Sequence, residues 1–435
     1  MVGCGGGTPA TYTVKGTVSG LVGSGLTLGI CKHFGRGCSP FSTVGVHANG
    51  AFTLYSGSPL SDGAYGVVVA QPPSSPAQRC AITNTTVNIK DLPDTGVTVS
   101  CLGKFAYVTD AADNTLSSYI VDATSGALTA IGPPVSTGAS PHATVGYQFA
   151  FDGDGVPIGQ VFVANEGSGN ISVFEVNTTT GALTTRPGSP IAAGADPQGL
   201  TLAGGTLYIA NAGSDNVSAY WVDTLTAAPG FPVAVGKGPT SIVLGPNAFA
   251  YVANHGGSND ISAFKAGLTP VRGSPVAGSP FPDGGKPLSL AVGAGAKFLY
   301  AANPDATNPS ISDFSIDPSS GALTRLSGSP FPLSVSHYMA TDQTGAFPCG
   351  TSGAGIVGYA IDAATGALTA LPGFPVAAGA DAYSISIDPS NQFLYAADDG
   401  AANVAAFRID ATGSLTPIAG SPFAAGNHPE SIATF

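Results

Sequence analysis

The chain has 435 residues, of which only 9 % are charged, with 61 Gly, 35 Pro and a formal net charge of −12. That length exceeds one ordinary core and predicts two domains, and a hydrophobic content of 43 % marks the Gly and Pro as turn-rich β-structure rather than disorder. With 14 Lys+Arg there is no basic footprint for nucleic acid or anionic lipid, and no apolar run approaches the roughly 18 residues of a membrane-spanning helix.

Residues 1–10 read MVGCGGGTPA. They lack the basic and apolar regions of a complete signal peptide. Gly3-Cys4 followed by three Gly resembles a bacterial lipoprotein just after its cleavage site, which implies a lipid on Cys4, a flexible tether and an extracytoplasmic, cell-surface location. The other reading is a tail with an incidental Cys.

Residues 11–101 alternate apolar and polar residues in TYTVKGTVSG at 11–20, GLTLGI at 25–30, STVGVHANGAFTLY at 42–55, GAYGVVVAQP at 63–72, CAITNTTVNI at 80–89 and VTVSC at 97–101. Asn49-Gly50 between two such runs is a hairpin signal. Six or seven short strands in this space predict a small β-sandwich. The closing pattern NTTVNIKDL then VTVSC resembles bacterial immunoglobulin-like or carboxypeptidase-regulatory-like modules. Cys31 and Cys38 bracket one loop, and Cys80 and Cys101 open and close two strands. Disulfides Cys31–Cys38 and Cys80–Cys101 are expected in an oxidising compartment. A zinc site would need more ligands than His33 adds.

Residues 102–435 carry a phrase that returns seven times. An apolar run ending in Asn or Asp reads FAYVTD at 105–110, VFVAN at 161–165, LYIAN at 207–211, FAYVAN at 249–254, FLYAAN at 298–303, a degraded FPCG at 347–350 and FLYAAD at 393–398. A second run follows each, as in ISVFEVN at 171–177 and VAAFRID at 404–410. Turns such as SGALT and Pro signatures such as GSPF close the period. A repeat of about 40–50 residues built from short strands predicts an all-β, seven-bladed propeller with four strands, a to d, per blade. Strand b is the first run and strand c the second. Strand d runs into the GSPF signature, whose Pro places it at the outer rim of the blade. Strand a follows a lead-in such as GASPHATV at 138–145 or GNHPESIAT at 426–434. Blade 1 has no strand a before it and the last strand a has no blade after it, so the C-terminal strand at 429–435 is expected to close blade 1.

FLYAAN, ISVFEVN, SGALT and GSPF in one period resemble the seven-bladed lactonase family, typified by bacterial 6-phosphogluconolactonase, and the related YVTN-repeat surface propellers. The resemblance spans 102–435 and implies the fold. For activity it implies a Pro-His at a strand-a start, matched by Pro141-His142, and an Asn-Glu ending a mid-propeller strand b. Blade 4 has Asn254-His255 there, whereas Asn165-Glu166 stands in blade 2. The Arg residues that bind anionic substrates in the family have no counterparts, because Arg186, Arg272 and Arg325 fall near the outer strand. A phosphorylated or carboxylated substrate would lack its clamp.

One residue per blade follows the strand-a Pro position at the channel mouth: Glu430, His142, Gln198, Thr240, Leu288, Tyr338 and Tyr383, from blade 1 to blade 7. Glu430 and His142 form an acid–base pair only if the C-terminal strand closes blade 1, with the carboxylate orienting the imidazole. Gln198, Thr240, Tyr338 and Tyr383 are expected to contact a ligand, the tyrosines by stacking on a sugar or lactone ring. A solvated polar rim is the bland alternative. No motif implies a cofactor or a metal, DGDG at 152–155 reading as a polar turn. Cys349 occupies an Ala position of strand b and reads as a buried small hydrophobe. The Asn or Asp ending each strand b recurs too regularly for one active site and reads as a turn cap. Three functions compete: a surface module binding a carbohydrate-like ligand or a surface protein, a hydrolase of a neutral sugar lactone using His142 and Glu430, and a structural or assembly protein.

Overall fold

A computed structural model describes residues 12–19, 21, 25–32, 40–48, 50–57, 64–71, 80–83, 86–88, 97–101 and 104–435, the last span without 152–156, 179, 268–272, 294, 305–307, 333, 334, 336, 343, 344, 346, 354 and 380. The tether 1–10 with Cys4, the loop residues His33 and Cys38, Asn49, the DGDG turn and Arg272 lie outside the described residues. The chain divides into two compact units. One comprises residues 1–104 with 148–158 and 177–181, and the other comprises 105–147, 159–176 and 182–435.

In the first unit, Gly50–Gly57, Tyr12–Ser19, Val97–Cys101 and Cys80–Thr83 form one four-stranded sheet. Ser42–Val46, Leu26–Cys31, Ala64–Gln71 and Thr86–Asn88 form a second. Alternate residues of these strands, among them Val14, Val18, Leu26, Leu28, Ile30, Leu54, Val67, Val97 and Val99, join one buried cluster. The period of two in the sequence is the period of burial. Cys80 stands opposite Cys101 in the antiparallel register.

The second unit is a seven-bladed propeller. Each blade has one antiparallel sheet in strand order a-b-c-d. Strand b is buried along its whole length in blades 3, 4, 5 and 7, which is why it reads as an unbroken apolar run rather than an alternating one. Blade 1 is built from Lys104–Asp110, Thr115–Val121, Leu128–Ala130 and, as its innermost strand, the C-terminal Pro429–Thr434. Pro429 pairs with Asp110 and Thr434 with Ala106, so the last strand closes the ring as the repeat arithmetic requires.

Blades 4, 5 and 7 are each bolted to the following blade by the strand-b tyrosine. The buried hydroxyls of Tyr251, Tyr300 and Tyr395 donate to the carbonyls of Gly321, Gly366 and Gly126 at 2.9, 2.8 and 2.8 Å. Those glycines are the Gly of SGALT in the following blade. Gly126 has φ 79°, and a Cβ there would stand 2.4 Å from the Phe393 ring, so this turn tolerates nothing larger. The Asp ending strand c caps the same turn: Asp122 Oδ1 accepts the N–H of Thr124 and Ser125 at 3.0 and 2.7 Å.

The outer strand is split around the Pro signature. Leu183–Thr185 pairs with the end of strand c, Ile191–Ala192 pairs with its start, and the chain swings away between them. There Ser189 Oγ accepts the N–H of Val173 at 2.8 Å, replacing the lost ladder acceptor. Ser279, Ser329 and Ser421 do the same for Ala263, Asp313 and Ala406, and the Ser-Pro peptides that follow are cis. The Ser of this signature is therefore as structural as its Pro.

Candidate functional site

In blades 1 to 4, strand a opens with the same device. A residue in the left-handed region comes first: His428 (φ 55°), Ser140 (50°), Asp196 (50°) and Gly238 (59°). Pro follows, then the residue of the predicted ring. The carbonyl of the left-handed residue accepts the N–H of the residue after strand b in the same blade. Glu166 N–H bonds Ser140 at 2.9 Å, Ala212 bonds Asp196 at 2.8 Å, His255 bonds Gly238 at 2.9 Å and Ala111 bonds His428 at 2.9 Å. In blade 7, Asp399 bonds Asp381 at 3.0 Å. These blades thus bring two residues to the mouth, one from the start of strand a and one from the end of strand b. A left-handed residue other than Gly costs on the order of 1 kcal/mol or more, and blades 1, 2 and 3 all carry one.

The Asn or Asp ending strand b fixes this geometry. Asn165 Nδ2 donates to Asn170 Oδ1 at 2.7 Å and Ser172 Oγ at 2.9 Å. Asn211 repeats the pattern with Asn216 and Ser218 and accepts Gly194 N–H at 3.0 Å. Asp110 accepts from Thr115, Ser117 and Gly426. All three side chains are fully buried and latch the turn, as their recurrence suggests.

The ring residues of five blades converge. His142 is only 6 % exposed. Its Nδ1 lies 3.2 Å from the Gln198 carbonyl. A carbonyl can only accept, so Nδ1 carries the proton and Nε2 presents its lone pair. Facing Nε2 are the Tyr383 hydroxyl at 3.4 Å and Glu430 Oε2 at 3.9 Å. The His142 ring meets those of Tyr338 and Tyr383 edge-on at 6.2 and 6.1 Å, and the two tyrosine rings lie 5.5 Å apart. The orienting acceptor of the imidazole is thus the Gln198 main chain, not the Glu430 carboxylate as the sequence reading has it. The reason is register: strand a of blade 3 runs beside strand a of blade 2 and offers its carbonyl to Nδ1, which leaves Glu430 on the other nitrogen.

Two expected ligand contacts are placed otherwise. Thr240 is 5 % exposed and its hydroxyl donates to the Leu288 carbonyl at 2.7 Å, a link between the inner strands of blades 4 and 5. Gln198 gives its main chain to His142 and its amide to Glu166 Oε1 at 3.3 Å. Three residues outside the predicted ring join the site. Glu166 acts electrostatically on His142, Asp399 acts on Glu430 and pairs with His428 at 3.0 Å, and His337 stacks on Tyr383 at 4.6 Å. Glu166 and Asp399 occupy one column of the repeat, the residue after the strand-b Asn or Asp, where blades 1 and 3 have Ala111 and Ala212. Reading that column beside the strand-a column finds both.

Burial shapes the chemistry. It holds the His142 imidazole below its usual pKa, opposed by the Glu166 charge and the Gln198 hydrogen bond. It raises Glu430 to about 7, helped by the charges of Asp399 and Glu166. The phenols of Tyr338 and Tyr383 are raised as well, chiefly by burial. Near neutral pH the pair therefore holds a neutral imidazole and a carboxyl poised to give up its proton. Among the described arginines, Arg186 donates to the Val222 and Asp223 carbonyls, Arg408 to Thr124, and Arg325 to Ser329 and Ser312, none of them to the groups around His142. Among the described residues no group of three or more His, Cys, Asp or Glu is arranged to hold a metal ion. A cavity of about 710 Å³ opens where strands a of blades 3 to 6 end, between Thr201, Val243, Leu290 and Asp342. That is the end of the channel opposite His142.

The sequence profile of the family described as "Lactonase, 7-bladed beta-propeller" matches residues 83–196 and 332–434. Those stretches contain His142, Glu166, His337, Tyr338, Tyr383, Asp399 and Glu430. No curated protein matches the sequence. Among solved structures, a protein from Lactobacillus plantarum superposes with a TM-score of 0.61 at 15 % identity, covering 77 % of this chain and 99 % of that one. A putative 6-phosphogluconolactonase from Bacteroides uniformis gives 0.60 at 16 % over 77 % and 99 %. A periplasmic gluconolactonase from Pseudomonas aeruginosa gives 0.58 at 16 % over 77 % and 99 %. At such identities these structures speak for the fold, and with the profile match they make the chain a lactonase-family seven-bladed β-propeller.

Proposed function

We propose that the mouth binds a neutral, polyhydroxylated cyclic ester and hydrolyses its ring ester bond. One observation carries this reading: a buried imidazole, locked through Nδ1, turns its free Nε2 to a carboxyl of raised pKa and to a phenol. Water attacks the lactone carbonyl carbon, and His142 Nε2 takes the water proton as the new C–O bond forms. Tyr383 O–H donates to the developing oxyanion. Collapse breaks the bond to the ring oxygen, which leaves with the Glu430 proton, and His142 returns its proton to Glu430 across the short gap between them. One water is consumed and one hydroxy acid is released. Tyr338 and Tyr383 supply apolar faces for the sugar ring. The missing Arg clamp favours an uncharged substrate over a phosphorylated one.

The burial of His142 favours a second reading, a mouth that retains a carbohydrate without turning it over. A panel of neutral 1,5- and 1,4-sugar lactones decides between them. Hydrolysis should fall about 10²–10⁴-fold in His142→Ala and in Glu430→Gln, with melting temperatures near that of the wild type. Binding without turnover in all three proteins would select the second reading, and full activity without His142 would remove the assignment. The lipoprotein-like start at Cys4 and the likeness to a periplasmic gluconolactonase support an extracytoplasmic site of action.

A further inference from the structure

The mouth of this propeller is electrically one-sided. Among the described residues, the charges that act on His142, Glu430 and Tyr383 are all carboxylates. Glu166 acts on His142, Asp399 and Glu166 act on Glu430, and Glu430, Glu166 and Asp399 act on Tyr383. His337, stacked on Tyr383, is acted on by Asp381 and Asp399. The geometry agrees: Glu166 holds the Gln198 amide at 3.3 Å, and Asp399 holds His428 at 3.0 Å. The cations described on this face are Lys237 and Lys286, exposed in the d–a loops entering blades 4 and 5, and Arg325 against Gly284 of the second loop, across the ring from blades 7, 1 and 2.

We propose that Glu166 and Asp399 are specificity-determining residues that form a charge filter, so that the mouth takes neutral or cationic sugar ligands and rejects anionic ones. This rests on the reading of the mouth as a sugar-lactone site and adds what that reading leaves open. Loss of an Arg clamp only makes an anion unrewarded, whereas two fixed carboxylates beside the binding groups repel it. The same field acts on the product. Ring opening turns a neutral ester into a hydroxy acid that ionises to a carboxylate as it gives its proton to water, so the same field drives the product out. Neither residue takes or gives a proton in the proposed hydrolysis.

The test uses unreactive ligands, so that it does not depend on turnover. Binding of a methyl pyranoside, its 6-carboxylate and its 2-amino counterpart is measured by calorimetry at low and high salt. The carboxylate should bind at least tenfold more weakly than the neutral sugar, and the amine at least as tightly. Salt should narrow the gap, and so should Glu166→Gln and Asp399→Asn, each severalfold, while affinity for the neutral sugar stays within a factor of about two. A merely structural role for the two residues would weaken all three ligands alike. Equal binding of neutral and carboxylate sugars, or no binding of any of them, overturns the filter. Charge-ordered binding with no lactone turned over removes the hydrolysis reading and leaves the filter standing. Turnover of neutral lactones with charge-blind binding removes the filter alone.

Discussion

At the scale of single residues, the decisive fact is which nitrogen of His142 is free. The Gln198 carbonyl fixes the proton on Nδ1, so Nε2 is a base only while the ring is neutral. Its pKa is lowered, so it stays neutral from below its ordinary value of 6.5 upward. Glu430 acts as an acid only below about 7. Activity should follow a bell-shaped pH profile, rising on the acid side below pH 6.5 and falling on the alkaline side near 7. Glu430→Gln should abolish the alkaline limb along with most of the rate, and an alkaline limb that persists in this variant would show that another group supplies the proton. The His142–Glu430 pairing was legible in the sequence because one repeat column and one closure argument determine it. Glu166 stands out in the sequence only as half of Asn165-Glu166, and Asp399 does not, because the registration of their column with the first depends on a left-handed residue that no composition rule reveals. A second expectation belongs to the first unit. Cys80 and Cys101 are register partners in an antiparallel pair, where directly opposed Cα atoms lie about 4.5–5.5 Å apart, within the span of a disulfide. Peptide mapping without reductant should recover 80–101 and 31–38 as linked peptides and Cys349, which is buried and free, as a single thiol. Alkylation of Cys80 and Cys101 in the native oxidised protein would end the pairing.

At the scale of elements, each strand answers to its neighbours, and the repeat shows which residues are idiosyncratic. The turn glycines and the capping Asn or Asp at the end of strand b are legible in the sequence because each serves its own turn, whereas the strand-b tyrosines are not, because their hydroxyls bond the next blade. The split of the outer strand is not legible either, because the Ser that replaces the ladder acceptor has no signature apart from the Pro beside it. Asp313 stands out among the positions of strand c. Blades 4 and 7 have Ala263 and Ala406 there, and Asp313 is fully buried with its pKa raised to about 7, chiefly by burial and against the Ser329 hydrogen bond and the Arg325 charge. A carboxyl whose folded pKa is raised binds its proton more tightly in the native state. The stability linked to it is complete below the unfolded value near 3.8 and is lost as pH rises through 7. Asp313→Ala should therefore stabilise the propeller at pH 8 by on the order of a few kcal/mol and make little difference at pH 4. Denaturation curves at the two pH values measure this, and equal effects at both would mean that packing rather than ionisation governs the site. The tyrosine bolts make a parallel case. Tyr300→Phe leaves the Gly366 carbonyl without its donor and should cost about 1–3 kcal/mol, whereas a loss under about 0.5 kcal/mol would show that the bond is replaced.

At the scale of the whole propeller, the ring is held by its last strand. Pro429–Thr434 completes the inner edge of blade 1. Ile432 and Ala433 are buried, Phe435 exchanges backbone hydrogen bonds with Phe105 and stacks on Tyr107 at 5.4 Å, and Ser386 of blade 7 meets Thr434 at 2.9 Å. The same strand carries Glu430 and starts from the left-handed His428, so the closure of the fold and the completion of the site are one event. Deleting residues 428–435 should open a strand edge on blade 1, empty the packing site of Phe435 beside Gly146 and cost more than about 4 kcal/mol, in the range reserved for named structural failures. Loss of activity alone would not distinguish closure from catalysis, because Glu430 leaves with the strand. Glu430→Gln makes the distinction: it should silence hydrolysis with the ring intact, whereas Phe435→Ala should lower the melting temperature by several degrees and leave the pH profile unchanged. If the truncated chain melts where the full chain does, the C-terminal strand is not what closes the ring.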